Sequence, residues 1–203
     1  MQKVNTMETN SSQLLCPGCG APVSISANTC AFCNGPILIR SFQSVCEMPL
    51  GKINKYADFY RKSIADNPVN KDLQNSLAMC YLKLKLYSKA QEAFDKAIEE
   101  NIDSSESYFY AAICLLAGRK PFLVPRPMIN KAEEYLNAAS ALEPKGIYFY
   151  LMAFIRYDFH FRKHFRVTPN WEEYLIEAAS YGYSVADVDS LFAILNVPKP
   201  DVF

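Results

Sequence analysis

The chain has 203 residues, half of them hydrophobic, 13% aromatic and 21% charged, and its 21 basic and 21 acidic side chains leave a formal net charge of zero. That apolar content excludes disorder over most of the length, together with the collagen-like and low-complexity classes. Zero net charge removes whole-molecule attraction to nucleic acid or anionic membrane, so either would need a local patch.

Residues 1–14 are polar, show no hydrophobic period and read as a flexible leader. They lack the apolar core of a secretory signal, and the longest apolar run, Tyr108 to Ala117, is about half the ~20 residues a membrane span needs. The expectation is a cytoplasmic protein without membrane insertion, in a reducing compartment where thiols persist.

Next comes the strongest chemical signal. Residues 16–35 read CPGCGAPVSISANTCAFCNG, two Cys-x-x-Cys pairs ten residues apart. Each pair can set two thiolates on one side of a tight turn, and two such turns complete a tetrahedral site. Gly20 and Asn34 follow the pairs, and both residue types tolerate the left-handed backbone a knuckle requires. Cys16, Cys19, Cys30 and Cys33 are therefore the expected ligands of one structural Zn2+, since four thiolates leave no position open for catalytic water. The segment resembles the zinc-ribbon family, whose CPxCG knuckle is matched by Cys16 to Gly20. The second knuckle departs from it by Asn34 in place of glycine. The ribbon is expected over residues 15–43, built from a hairpin of the β-formers around PVSI and PILIRSF, with a linker over 44–51.

From there the pattern turns helical. Tyr56 to Pro68, Ala90 to Ile102 and Ala132 to Pro144 share a template in which Tyr60, Phe94 or Leu136 stands at +4 and Ser63, Ala97 or Ala139 at +7. The first two copies are 34 residues apart; the third follows after a further 42, the extra eight falling in RKPFLVPRPMI. A helix-pair period of 34 is the tetratricopeptide length. From about Gly51 to Asp187 the chain resembles the tetratricopeptide-repeat family, best over 71–104. The expected fold is mainly α, a helix-pair solenoid over 52–184 preceded by the small β unit, with a C-terminal helix and tail over 185–203.

The resemblance implies a groove lined by the first helices of each pair. By repeat alignment those positions are Asn75, Met79, Leu82 and Lys83, then Phe109, Ile113 and Leu116, then Tyr148, Leu151 and Ile155, flanked by Asp72, Glu106 and Phe159. The places where chaperone-tail binders of the family carry a carboxylate clamp hold Asn75, Met79 and Tyr110, so that clamp is missing. A mostly apolar groove suits a partner's amphipathic helix or strand, or the chain's own helix over Val185 to Leu195. Cys80 and Cys114, also 34 residues apart, are expected to pack in the core.

Residues 119–166 carry nine basic and four acidic groups, and within them RYDFHFRKHFR is the local patch, with Arg156, Arg162, Lys163 and Arg166. Cations among aromatics can hold single-stranded nucleic acid. The three- and four-residue spacing of Phe154, Tyr157, Phe161 and Phe165 instead points them at the core along a helix running Ile147 to Phe165, with the cations solvated and His160 and His164 on a partly exposed face. The carboxylate pairs Glu99–Glu100 and Glu133–Glu134 read as solvent-facing. No phosphate loop, nucleophile with a nearby base, or small-molecule substrate site is evident. The function expected is a non-enzymatic adaptor, scaffold or assembly factor that binds another protein; the alternative is nucleic-acid binding through the ribbon and residues 156–166.

Overall fold

The computed structural model describes residues 14–24, 27–46, 48–66, 68 and 70–203. The expected leader falls, but for Leu14, outside these residues. Internal contacts divide the chain into two compact units, residues 1–38 and 39–203.

The first unit is built on one short hairpin. Strands β1 (Leu14–Leu15) and β2 (Pro22–Val23) pair antiparallel, Leu14 opposite Val23 and Leu15 opposite Pro22, and a bridge joins Thr29 to Pro36. Residues 36–42, expected as β structure, carry no strand: beyond Pro36 the chain leaves the hairpin, and Ile39 and Phe42 spend their amides on side chains of the second unit.

The second unit is helical: α1 (Gln43–Cys46), α2 (Leu50–Asp66), α3 (Lys71–Lys83), α4 (Tyr87–Glu100), α5 (Ser105–Leu116), α6 (Arg126–Leu142), α7 (Gly146–Ile155), α8 (Trp171–Tyr181) and α9 (Val185–Leu195). From α2 to α8 each helix packs on the next in sequence. This is a helix-pair solenoid, as the 34-residue spacing implied. α3 and α5 begin 34 residues apart, at Lys71 and Ser105. The helices alternate in character. In α3, α5 and α7 most residues are buried, whereas α4, α6 and α8 bury one stripe, such as Ala90, Ala93, Phe94 and Ala97. Helices packed on both sides must be apolar nearly all round, and flanking ones need only one face.

Local chemistry sets the ends. The Asn70 side chain accepts from the Asp72 and Leu73 amides and Ser104 Oγ from the Ser107 amide, each satisfying donors that a helix start leaves unpaired. Asn170–Glu173 and Ser184–Asp187 form reciprocal capping boxes on α8 and α9. At the α7–α8 contact Gly146 allows close approach: a Cβ there would lie 2.3 Å from the Gly182 carbonyl oxygen.

One expected helix is broken. Instead of running Ile147 to Phe165, α7 ends at Ile155, a π turn follows over Arg156–His160 and a 3-10 turn over Phe161–Lys163, and His164 closes the segment at φ +61°. A wider turn shifts the side-chain register. Phe161 and Phe165, expected inside, are therefore 57% and 42% exposed, while Asp158 and His160 are buried. No described helix is long and apolar enough to cross a membrane.

Candidate metal centre and binding face

The two cysteine pairs fold into matching turns. In the first, the Cys16 amide donates to the Ala21 carbonyl, Gly20 donates back to the Cys16 carbonyl, and the Gly18 amide points at Cys16 Sγ. In the second, Cys30 donates to Gly35, Asn34 to Cys30, and the Phe32 amide points at Cys30 Sγ. Gly20 (φ +78°) and Asn34 (φ +53°) occupy the left-handed slot four residues after the first cysteine of each turn. Asparagine fills it with little strain, which is why the second knuckle closes without glycine.

The turns bring four sulfurs within 4.8 Å of one another, with Cys16 3.6 Å from Cys33 and Cys19 3.7 Å from Cys30. Tetrahedral thiolates about 2.3 Å from one ion stand about 3.8 Å apart, so the cluster fits such an ion without rearrangement. It can hold a metal. Amides of Phe32 and Cys33 lower the Cys30 thiol to about 7. At Cys19 the Ala21 amide pulls down, but desolvation and the Cys30, Cys33 and Cys16 thiols outweigh it and raise that thiol to about 11.

The expected groove residues gather on the face of α3, α5 and α7, and the chain covers that face itself. Met79, Leu82, Phe109, Ile113, Leu116, Tyr148, Leu151 and Ile155 are all buried; Asn75 and Lys83 are half-buried. Two segments do the covering. Residues 39–46 run against α3 and α5: Ile39 exchanges hydrogen bonds with Ser76 Oγ, the Phe42 amide donates to the Tyr110 hydroxyl at 3.3 Å, and Lys83 Nζ donates to the Cys46 carbonyl. Helix α9 lies on α5 and α7 with Val188, Leu191, Phe192 and Leu195 buried and the Phe192 ring 5.2 Å from that of Phe154. The first segment escaped the sequence reading, although Ile39, Phe42 and Val45 recur every third residue as a buried stripe does. Openings remain along that face. A cavity of about 310 Å3 lies between Phe42, Phe109 and Tyr110 on one side and Leu191 and Ile194 on the other. A second, of about 270 Å3 and more polar, is lined by Arg40, Lys71, Asn75 and Glu106 among others.

The basic stretch is largely spent on internal contacts. Arg156 pairs with buried Glu133, Arg162 pairs with Asp158 and stacks over Phe122, and Lys163 sits over both Phe159 and Phe122. Asp158 also accepts from the Phe122 amide at 2.7 Å, which fixes the proline-rich insertion against the π turn. Glu133 was expected in solvent and is instead buried between Arg156 and His160, because the π turn swings both toward α6. His160, expected on a partly exposed face, is 4% exposed for the same reason. Arg166 stays exposed beside Phe161, Phe165 and Trp171, which line a shallow cavity of about 370 Å3.

No family model matches the chain, and no curated protein matches it. Among solved structures, a chain titled "MamA MSR-1 C2" is similar over 69% of this chain and 72% of its own length, at 18% identity and a TM-score of 0.49.

Proposed function

We propose that the chain is a non-enzymatic protein-interaction module of the cytoplasm, an adaptor, scaffold or assembly factor that receives a partner's helix or peptide on the α3–α5–α7 face. The seat of α9 carries this reading: an amphipathic helix of eleven residues already lies across α5 and α7, so the face has the width and apolarity to take one. In the same reading Cys16, Cys19, Cys30 and Cys33 hold one structural Zn2+. A unit under 40 residues has too little core to fold alone, and structural zinc contributes about 10–16 kcal/mol.

Nucleic-acid binding is the lesser reading, because Arg156 and Arg162 are already neutralised by carboxylates and Lys163 is stacked on rings. Affinity capture from the native host, with protein and nucleic acid both quantified, separates the two. The expected result is a defined protein retained after nuclease treatment and little affected between about 0.05 and 0.2 M salt. Nuclease-sensitive material whose retention falls by orders of magnitude over that interval would establish the alternative.

A further inference from the structure

We infer that α9 is a displaceable occupant of the binding face, and that the partner is an amphipathic helix with the apolar pattern α9 presents there, large residues at positions i, i+3, i+4 and i+7. This rests on the reading of that face as the binding surface and adds the chemistry of the ligand and a built-in competitor for it.

Four observations carry it. First, the apolar face of α9 is Val188, Leu191, Phe192 and Leu195, all buried, and its other side is Asp187, Asp189, Ala193 and Asn196, all exposed. A ligand able to replace it must offer the same stripe to Tyr150 and Phe154, whose rings lie 6.4 and 5.2 Å from that of Phe192.

Second, α9 brings its own helix start. The Ser184 amide donates to Asp187 Oδ2 at 2.8 Å and the Asp187 amide to Ser184 Oγ at 3.1 Å, so both donors are satisfied within α9 and stay satisfied when it leaves. Third, two polar ties join α9 and its C-cap to the rest of the unit, and both are peripheral: Ser190 Oγ to Gln43 Oε1 at 3.2 Å, and Lys85 Nζ to Asn196 Oδ1 at 2.6 Å, both at exposed sites. The 310 Å3 cavity beside Leu191 and Ile194 shows that this helix does not close the face completely.

Fourth, the connection suits a hinge. Residues 181–187 are all exposed, and Gly182, whose carbonyl packs against Gly146, takes φ +76° with nothing within 4 Å of where a Cβ would stand. α9 rests mainly on α5 and α7, and α8 packs extensively on α7, so α9 can swing away while the α7–α8 contact stays intact.

Two measurements on the full chain test this. Hydrogen exchange of the unmodified protein should show the amides of 186–195 exchanging at least about 100-fold faster than those of α5 and α7, through an opening that leaves the solenoid protected. Exchange of α9 together with α5 and α7 would overturn the inference. In the second, a fluorescent peptide of residues 183–199 is titrated into the unmodified chain and into a Leu191→Ser, Phe192→Ser variant whose far-ultraviolet circular dichroism is preserved. The variant should bind at least about tenfold tighter, because a binder gains when its competitor stops occupying the site. Equal affinity, or no binding to the folded variant, would overturn displacement. Failure of the wider reading is distinguishable: both results could hold while affinity capture returned no protein partner.

Discussion

His160 Nε2 lies 2.8 Å from Glu133 Oε1, and Arg156 Nε stands 3.3 Å from the same oxygen. One carboxylate of α6 thereby joins both ends of the π turn that follows α7, and all three side chains are at most 13% exposed. Removing it would leave the Arg156 guanidinium without this counter-charge and His160 Nε2 without its hydrogen-bond partner in a nearly buried site, a change that costs about 3–5 kcal/mol in comparable buried pairs. Glu133→Ala should therefore lower unfolding free energy by about that amount in urea, while Glu134→Ala, one residue along and exposed, stays within about 0.5 kcal/mol. Equal effects of the two substitutions would mean the triad is not the fastening we describe.

A smaller change tests the α7–α8 contact. A Cβ on Gly146 would lie 2.3 Å from the Gly182 oxygen and 2.6 Å from that of Ala178, both backbone atoms that no rotamer change can move. Gly146→Ala would gain about 1 kcal/mol from helix propensity on an open helix, but here the overlap costs about 1–3 kcal/mol and reverses the sign. Thermal unfolding should fall by several degrees; an unchanged or raised midpoint would refute this contact.

These two positions mark where sequence reading reached its end. The 34-residue recurrence and the Cys-x-x-Cys spacing are local or periodic facts, and they locate the helix pairs and the sulfur cluster directly. Val185 to Leu195 is a helix for the same reason, with Ser184 and Asp187 in capping register. What escaped depends on register or on distant contacts. Phe161 and Phe165 sit at helical spacing from Phe154, but one π turn in between moves them out and brings Asp158 and His160 in. Nothing in the letters RYDFHFRKHFR announces that turn, because its anchors, Glu133 and the Phe122 amide, are 23 or more residues away from Arg156 and Asp158. The covering of the α3–α5–α7 face by residues 39–46 is likewise a long-range fact, with Phe42 and Tyr110 68 positions apart.

Cys80 and Cys114 make a simpler prediction. Both are buried in first helices, Cys80 at 0% and Cys114 at 3% exposure, and burial pushes the Cys80 thiol up to about 12 and the Cys114 thiol higher still. Alkylation needs the thiolate and access to it, so neither should react in the native chain at pH 8 on a timescale where an exposed thiol is consumed. Mass spectrometry after iodoacetamide treatment should find both unmodified until denaturant is added. Modification of either at the rate of a free thiol would contradict their packing.

The sulfur cluster predicts how metal affinity depends on pH. An ion binds thiolates, so every thiol still protonated in the metal-free chain must release its proton on binding. Cys19, held at about 11, carries its proton throughout pH 6–9 and contributes a steady tenfold gain in affinity per unit of rising pH. Cys30, lowered to about 7 by the Phe32 and Cys33 amides, contributes a further gain only below that value. The sign is thus positive throughout, with a steeper slope below pH 7 than above it. Competition titration with a chromophoric zinc chelator at half-unit steps from pH 6 to 8.5 measures this directly, and affinity independent of pH would show that these thiols do not bind the ion. Stripping the ion should abolish the exchange protection of the first unit's amides, such as Cys16 to Ala21 and Cys30 to Gly35. The helical ellipticity of residues 39–203 should persist, because that unit has its own core.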